Sequence, residues 1–356
     1  MGRPTIDIIF KQLAVSAVER SARGIVALII KDDTDKTFKT KEYKLATDIE
    51  TALFTTANVQ AITDCFSGTP AKVIVVRVDA TGGTIADALT IAAGLKFNWI
   101  GAVSSTQADH DAIATWIKAQ DVLKKTFKAV TYKAISPDSK RVVNLVNDKV
   151  TFADTRGQKT GDSYVPTLLG ILAGLSLNRS ATYYKCTTLT SVIEPADIDA
   201  SINLGNLVLF NDSNYVKIAA AVTSLVTITS SNTADMQQIT TIEEMDIITG
   251  DISTTFADNW VGNYKNKYDN QVLLISAIKS YFKTLEDEQV LDNGYANTLD
   301  IDVAAQKLAW QATGKDVSAW TDLQTKHNTF RRSVFLLGDI KLLGAVENLS
   351  FAIQMF

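Results

Sequence analysis

Apolar and polar residues alternate over residues 5–18, which is the spacing of a β-strand. The apolar positions of this segment are Ile6, Ile8, Phe10, Leu13 and Val15. The alternation stops near Arg20, and a continuous apolar run follows over residues 25–30, as is typical of a strand buried on both faces. We therefore expect an extended arm over residues 1–22 ahead of the first core strand.

Apolar runs of strand length then alternate with segments of helical periodicity as far as residue 221. The predicted strands cover residues 25–30, 72–78, 97–103, 127–133, 142–146 and 150–153, and a hairpin turns at residues 211–214. The predicted helices cover residues 48–65, 84–95, 107–124 and 164–177. This alternation predicts an α/β domain with a largely parallel sheet.

From residue 241 the pattern changes to long helices and then returns to strands. Apolar residues at four-residue spacing predict a helix; they are Ile248, Ile252, Phe256 and Trp260. Short strands are predicted over residues 296–303 and 333–338. The last apolar residues alternate with polar or small ones, which predicts that the chain ends in a strand; they are Leu349, Phe351, Ile353 and Met355.

The fold class is therefore α/β for the larger part and α+β overall. We divide the chain into four parts: a linking arm (1–22), an N-terminal α/β domain (23–95), a middle α/β domain (96–240) and a C-terminal α+β domain (241–356).

Charge and composition exclude several classes of protein. A net charge of −4 offers no positive field for a phosphate backbone, so nucleic acid is not an expected partner. The longest uncharged stretch, residues 218–234, is too rich in Thr and Ser to enter a membrane. The opening residues do not resemble a signal peptide, and Cys65 and Cys186 have neither disulfide nor metal spacing. We expect a cytoplasmic protein with two buried free thiols.

The sequence predicts no catalytic, cofactor-binding or metal-binding residue. Only His110 and His327 are present. His110 is expected at a solvated or capping position in the first turn of a helix, and His327 at the surface. The glycine-flanked residues 157–161 are interpreted as a loop because they do not join a buried strand to a helix. The acidic residues Glu243, Glu244 and Asp246 are interpreted as favouring the start of a helix.

The functional hypothesis rests on the two predicted strands near the ends of the chain, in which apolar and polar residues alternate. Such strands are either edges of the chain's own sheets or additions to a neighbour's sheet. Head-to-tail contacts of the second kind build rings or helical filaments.

Two extended patterns stand out, in the first 30 and in the last 110 or so residues. The N-terminal pattern is Gly2 to Lys11 and Ala17 to Ile29. The C-terminal pattern is Asp246-Ile247-Ile248 with Asp251-Ile252, Gly262-Asn263-Tyr264 with Asn266, Tyr268-Asp269-Asn270, Tyr281-Phe282 with Leu285, Leu291-Asp292, Val334-Phe335-Leu336, and Ala345 to Leu349. With these patterns the chain resembles the short contractile-tail sheath proteins of Gram-positive phages and of phage-like particles such as R-type bacteriocins of the diffocin kind.

The resemblance implies a structural subunit of stacked hexameric rings around an inner tube, which contract from a metastable state to drive the tube through a bacterial envelope. It implies a middle domain of subtilisin-like topology without the catalytic triad, and terminal arms that join neighbouring subunits' sheets. It further implies partners in the tube, baseplate and tail terminator or collar proteins, no cofactor, and a charged contact with the tube, for which Lys326, Arg331 and Arg332 are our candidates. The sheath would assemble in the host cytoplasm.

Two other classes remain open. The alternation of strands and helices alone would also suit a doubly wound α/β enzyme or a degenerate hydrolase. A tube or baseplate component is the third candidate. The sequence does not distinguish a phage from a headless bacteriocin.

Overall fold

The computed structural model describes residue 18 and residues 23–347, 349–352 and 354 of the chain. The predicted arm residues Ile6, Ile8, Phe10, Leu13 and Val15, and Ile353 and Met355 of the last predicted strand, lie outside the described residues. The chain forms two compact units. We call Ala22–Ile247 with Gly344–Phe356 the sheet unit, and Ile248–Leu343 the helical unit.

A seven-stranded sheet lies at the centre of the sheet unit, in the strand order β10-β6-β5-β4-β1-β3-β2. Its strands are β1 (Ile25–Lys31), β2 (Thr40–Tyr43), β3 (Lys72–Val78), β4 (Trp99–Ala102), β5 (Lys128–Tyr132), β6 (Val142–Leu145) and β10 (Asn206–Leu207). Neighbouring strands are parallel except β2, which runs antiparallel to β3 at the sheet edge. The predicted α/β class with a largely parallel sheet is confirmed.

Helices cover both faces of this sheet. They are α1 (Thr56–Phe66), α2 (Ile85–Ala92), α3 (Gln107–Val122), α4 (Val165–Gly174) and α5 (Ile198–Asn203). Val26, Leu28 and Ile30 of β1 pack in one apolar cluster with α1 and α4, whereas Ala27 and Ile29 pack in another with α2 and α3. The continuous apolar run of β1 therefore follows from burial on both faces.

Glycine allows α1 and α4 to approach each other closely. A Cβ atom built on Gly170 of α4 would lie 1.7 Å from the carbonyl oxygen of Cys65 on α1. Any side chain at position 170 would push the two helices apart. Cys65 and Cys186 are both buried free thiols, as expected.

Smaller sheets complete this unit. The strands β7 (Lys149–Phe152), β8 (Gln158–Thr160) and β9 (Leu189–Val192) form a sheet in the order β8-β7-β9, and β11 (Leu209–Asp212) and β12 (Tyr215–Ile218) form the expected hairpin. The interpretation of residues 157–161 as a loop is wrong, because Gln158–Thr160 pair antiparallel with β7 as an edge strand. Pairing with a partner outside the segment decides its conformation.

The seven-stranded sheet takes strands from both sides of the boundary that the sequence placed at residues 95 and 96. Val26 of β1 is paired with Trp99 of β4, so the ranges 23–95 and 96–240 share one sheet. The two compact units instead divide between Ile247 and Ile248, inside helix α6 (Ile239–Thr255).

The helical unit is built around one long helix. Its elements are α7 (Tyr268–Asp287), β13 (Thr298–Ile301), α8 (Val303–Gln311), α9 (Asp322–His327) and β14 (Leu336–Asp339), and a π-helical turn covers Phe256–Trp260. Leu274, Ile278 and Phe282 lie on the buried face of α7. Gln306 is buried and donates from Nε2 to the carbonyl oxygens of Thr325 and Asn328, which ties α8 to α9.

Candidate assembly surfaces

The helical unit contains a sheet of two strands with open edges. β13 and β14 pair antiparallel, with Ile301 opposite Leu336 and Thr298 opposite Asp339. Leu299 and Ile301 of β13 are buried, whereas the last three residues of β14 are exposed. Among the described residues each strand has only the other as its partner in this sheet, so each retains a free edge.

The pairing pattern identifies which backbone groups of β14 are free. The amide of Asp302 donates to the carbonyl oxygen of Phe335 at 3.0 Å, which makes this a hydrogen-bonded pair. Hydrogen-bonded and non-hydrogen-bonded pairs alternate in an antiparallel ladder. The amides of Leu336 and Gly338 therefore point away from β13, and the amide of Leu337 points toward it.

After β14 the chain carries exposed apolar side chains. Leu343 still donates its amide to the carbonyl oxygen of Val290 at 3.0 Å. Beyond it, the side chains of Val346, Leu349 and Phe351 are 97%, 89% and 76% exposed. None of the described residues from 344 onward lies in a strand. The prediction that Leu349, Phe351, Ile353 and Met355 form a linking strand concerns a neighbouring subunit and stays a prediction.

Within the sheet unit, one side chain of this segment contacts residues that follow α4. Glu347 Oε1 accepts hydrogen bonds from Ser180 Oγ at 2.9 Å and from Thr182 Oγ1 at 2.7 Å. These contacts are solvent-exposed, so they hold the segment weakly.

The structure brings two of the three proposed tube-contact residues together. Arg331 and Arg332 are exposed and line one cavity of the helical unit, next to Lys265. Lys326 instead lies 2.6 Å from Asp300 on β13, and this ion pair lowers the pKa of the Asp300 carboxyl. Their contact with a tube stays a prediction.

The acidic residues near the start of α6 lie outside its first turn and have other partners. The helix begins at Ile239, so Glu243 and Asp246 lie beyond its first turn. Lys128 Nζ lies 2.6 Å from Asp246 Oδ2 and 3.3 Å from Glu243 Oε1. Burial alone would lower the pKa of Lys128, but these two carboxylates outweigh it and raise the pKa. The interpretation that Glu243, Glu244 and Asp246 favour the start of a helix is therefore wrong: all three lie beyond the first turn, and Glu243 and Asp246 form ion pairs with the buried Lys128.

Glu244 differs from its two acidic neighbours. Its side chain is buried, and burial raises the pKa of its carboxyl to about 8. The pKa of this group thus lies above the ordinary range of a glutamate.

The two histidines differ in burial: His110 is buried and His327 is exposed. Of the two positions expected for His110, the solvated one is wrong: the side chain is fully buried, and its Nε2 lies 2.9 Å from the carbonyl oxygen of Ser104, just before the start of α3. Burial lowers the pKa of His110 despite that hydrogen bond. His327 is exposed, as expected, and its ring lies 4.2 Å from the ring of Tyr268.

Within the part of the chain that the structure describes, no three His, Cys, Asp or Glu side chains are grouped so as to hold a metal ion. The described helices include none that is long and apolar enough to span a membrane.

The sequence analysis named Asn266 only as part of the C-terminal pattern and did not predict its hydrogen bonds within the helical unit. Its Nδ2 donates to the carbonyl oxygens of Phe330, Arg331 and Ser333, at distances of 3.0 to 3.3 Å. The available signal was the polar, glycine-containing segment 262–266, which marks a turn but not its distant partners.

Comparison with known proteins finds similarity to tail sheath proteins. A family model described as the phage tail sheath C-terminal domain matches residues 231–356. A curated protein of Clostridium phage phiCD119, named tail sheath protein, is 28% identical over 367 residues, which cover 99% of each chain.

Solved structures share the fold. The crystal structure of a sheath tail protein from Desulfitobacterium hafniense matches with a TM-score of 0.70 at 17% identity, over 84% of this chain and 94% of that one. The contracted helical sheath of the anti-feeding prophage matches with a TM-score of 0.72 at 12% identity, over 99% of both chains. Residues 231–356 therefore match the phage tail sheath C-terminal domain, and the relatives that the chain resembles are tail sheath proteins.

Proposed function

We propose that this chain is the structural subunit of a contractile tail sheath, which polymerises around an inner tube. The observation that carries the proposal is the 28% identity to a tail sheath protein across 99% of both chains. The open edges of β13–β14 and the exposed apolar side chains beyond Leu343 support it, because they provide both halves of a strand-addition joint.

In this joint the last residues of one subunit add to the free edge of β14 in a neighbour. Backbone hydrogen bonds to the amides of Leu336 and Gly338 supply the connection, and alternate side chains such as Leu349 and Phe351 fix the register. The N-terminal arm, residues 1–22, would link subunits in the same manner. A lattice joined by terminal arms keeps its connections while its subunits rotate and slide.

The energy for contraction is stored in the lattice. Subunits assemble into an extended arrangement with few lateral contacts and convert to a compact one with more, so neither nucleotide nor cofactor is consumed. The proposal includes stacked hexameric rings that assemble in the host cytoplasm. It also includes a subtilisin-like topology of residues 96–240 without catalytic activity, and contacts with tube, baseplate and collar proteins.

The proposal is tested by electron microscopy of the purified chain. We expect wide hollow cylinders with a defined handedness and, in whole particles, two lengths. A chain lacking residues 346–356 should remain folded but form no long cylinders. Wild-type-like cylinders from the truncated chain would refute the joint, and a narrow tube or a plate from the intact chain would favour another tail component.

The enzyme alternative has its own test. Equilibrium binding of nucleotides and labelling by a serine-hydrolase probe should both be negative. Stoichiometric labelling that disappears in His110→Gln would refute the structural assignment. The burial of His110 and the contact of its Nε2 with Ser104 argue against such a role.

A further inference from the structure

The sequence contains a single asparagine–glycine step, Asn293-Gly294, in the connection between α7 and β13. Both residues are exposed. Among the described residues, the carboxamide of Asn293 has no hydrogen-bond partner, so it is free to rotate. A Cβ atom at position 294 would meet only Asp292 Oδ1 within the described part of the chain, at 3.2 Å. The backbone nitrogen of Gly294 is therefore open to its surroundings.

The turn that contains these residues does not need a glycine. The amide of Tyr295 donates to the carbonyl oxygen of Asp292 at 3.2 Å, and the amide of Gly294 donates to Asp292 Oδ1 at 2.8 Å. Neither Asn293 nor Gly294 has a positive φ, so the turn is not of a type that requires glycine. The effect of glycine here is chemical, because it places no side chain beside its own nitrogen.

Residues on both sides of this step contact the chain at and after the end of β14. The amide of Asp292 donates to the carbonyl oxygen of Lys341 at 2.9 Å, and Asp292 Oδ2 lies 2.8 Å from Lys341 Nζ. The Tyr295 hydroxyl donates to Asp339 Oδ2 at 2.6 Å. Hydrogen bonds from Lys341 and from the Gly294 amide hold the pKa of the Asp292 carboxyl below its ordinary value, so these contacts persist at neutral pH.

We propose that Asn293 is a site of spontaneous deamidation to isoaspartate, and that this change loosens the chain that follows β14. The backbone nitrogen of Gly294 attacks Cγ of Asn293 and forms a C–N bond, which closes a cyclic imide. The carboxamide nitrogen leaves as ammonia and takes the proton of the Gly294 amide. Water then opens the ring, and opening at the α-carbonyl leaves the chain linked through Cγ. The net reaction consumes one water, releases one ammonia and changes no oxidation state.

The folded turn restrains this reaction without preventing it. The Gly294 N–H is directed at Asp292 Oδ1, so the turn must open before the nitrogen attacks Asn293. Only exposed hydrogen bonds close the turn, and such bonds open at low cost in free energy. Isoaspartate then adds a methylene group to the backbone between Asp292 and Tyr295. These two residues no longer have the spacing that suits their contacts with Lys341 and Asp339.

The chemical step is tested by incubating the full, unassembled chain at mildly alkaline pH, followed by peptide mapping. We expect Asn293 to gain about 1 Da and to become a substrate for an isoaspartyl methyltransferase. Asn214 is the internal control: it is also exposed, and its carboxamide also lacks a partner among the described residues, but a tyrosine follows it. Gly294→Ala should slow the reaction severalfold, and Asp292→Ala should accelerate it.

The structural consequence is tested by amide hydrogen exchange of residues 340–343, before and after modification. We expect exchange to become about threefold to tenfold faster, because each lost hydrogen bond had contributed a net stabilisation of that order. Asn293→Asp is the matched control, since it introduces the charge without the additional methylene group. It should change the exchange rate by less than about twofold, because the charge is exposed to solvent.

Three results would overturn the proposal. The first is an unmodified Asn293 under conditions that deamidate a synthetic peptide of residues 288–298. The second is modification that leaves the exchange of residues 340–343 unchanged, and the third is an equal effect of Asn293→Asp. Because none of these measurements depends on polymerisation, a negative outcome is distinct from a failure to form sheaths.

Discussion

Asp246 accepts two hydrogen bonds from one nitrogen of Arg141, with Nη1 2.8 Å from Oδ1 and 2.9 Å from Oδ2. The same carboxylate lies 2.6 Å from Lys128 Nζ, and all three side chains are largely buried. Asp246 therefore bridges two cations at the start of β5 and β6. Further negative charge comes from Asp121, 2.5 Å from Arg141 Nε, and from Glu243, 3.3 Å from Lys128 Nζ. Removing the most buried carboxylate of such a set leaves its partners under-compensated.

We predict that Asp246→Asn lowers the free energy of unfolding by about 3 kcal/mol, because Arg141 and Lys128 then retain only the more exposed carboxylates of Asp121 and Glu243. Lys128→Met should cost less, since Asp246 keeps Arg141 and the methionine fills the space. Urea denaturation of the unassembled chain, followed by circular dichroism, measures both.

Glu50→Gln provides the control for this series. It removes an exposed ion pair with Lys41 in the same unit and should change the free energy of unfolding by less than about 1 kcal/mol. If Asp246→Asn were as mild as Glu50→Gln, the buried network would not contribute to stability.

Glu244 predicts a pH dependence with a defined sign. Burial raises the pKa of its carboxyl to about 8 in the folded chain, above the 4.5 of an exposed glutamate. The folded state therefore holds a proton that the unfolded state releases, and stability is lost as pH rises from about 4.5 toward 8, by at most about 1.4 kcal/mol per pH unit. We expect Glu244→Gln to match the wild type at pH 4.5 and to exceed it in unfolding free energy at pH 8.

The difference in unfolding free energy between the wild type and Glu244→Gln isolates the effect of the Glu244 carboxyl, because every other titrating residue is common to both proteins. His110 acts with the opposite sign: its pKa is lowered by burial, so its contribution to stability is lost as the pH falls below the ordinary histidine pKa. A wild-type and Glu244→Gln difference that does not change between pH 4.5 and pH 8 would contradict the assignment.

The sequence predicted what local periodicity controls. The apolar run of β1, the helix over residues 107–124 and the turn near residues 211–214 all depend on neighbours in the chain, and the structure contains each of them. Gln158–Thr160 form a strand only because β7 accepts them, which their own composition does not reveal.

The candidate site was less predictable for the same reason. Asp246 finds its partners more than a hundred residues away, and His110 is buried by elements outside its own helix. Arg331 and Arg332 were selected by a resemblance, but the cavity they line is formed with residues from the π-turn and α7, which no local pattern joins.

If the free edge of β14 is used in assembly, amides that point toward this edge and amides that point toward β13 should have different roles. Leu336→Pro removes an amide that points away from β13, whereas Leu337→Pro removes one that points toward it. We expect Leu336→Pro to lose cylinder formation while the subunit stays folded, and Leu337→Pro to lower the midpoint of thermal unfolding of the subunit as well. Electron microscopy and thermal denaturation give the two measurements.

These two neighbouring substitutions control for each other, because both introduce the same residue into the same strand. Normal cylinders from Leu336→Pro would show that the free edge of β14 is not used in assembly. Equal thermal destabilisation by both substitutions would show that the two amides do not differ in their partners.

The exposed side chains of Leu349 and Phe351 predict an assembly defect without a folding defect. Changing both to Ser removes apolar groups that are already exposed in the subunit, so its free energy of unfolding should stay within about 0.5 kcal/mol of wild type. In a lattice joint the same two side chains would be buried, and each contributes about 1.5–3 kcal/mol. We expect negative-stain microscopy of the double variant to show no long cylinders. We expect the same defect when proline replaces Phe351 or Ile353.

Val122→Ser/Leu123→Ser is the matched control, because these side chains are also exposed and apolar but lie at the end of α3 in the sheet unit. This control distinguishes a specific joint between subunits from a general effect of lower surface hydrophobicity. Equal loss of cylinders in both double variants would point to non-specific association.

Proline adds a second distinction, since it removes a backbone donor as well as a side chain. If Phe351→Ser assembled and Phe351→Pro did not, the backbone ladder rather than the apolar side chain would supply most of the connection between subunits.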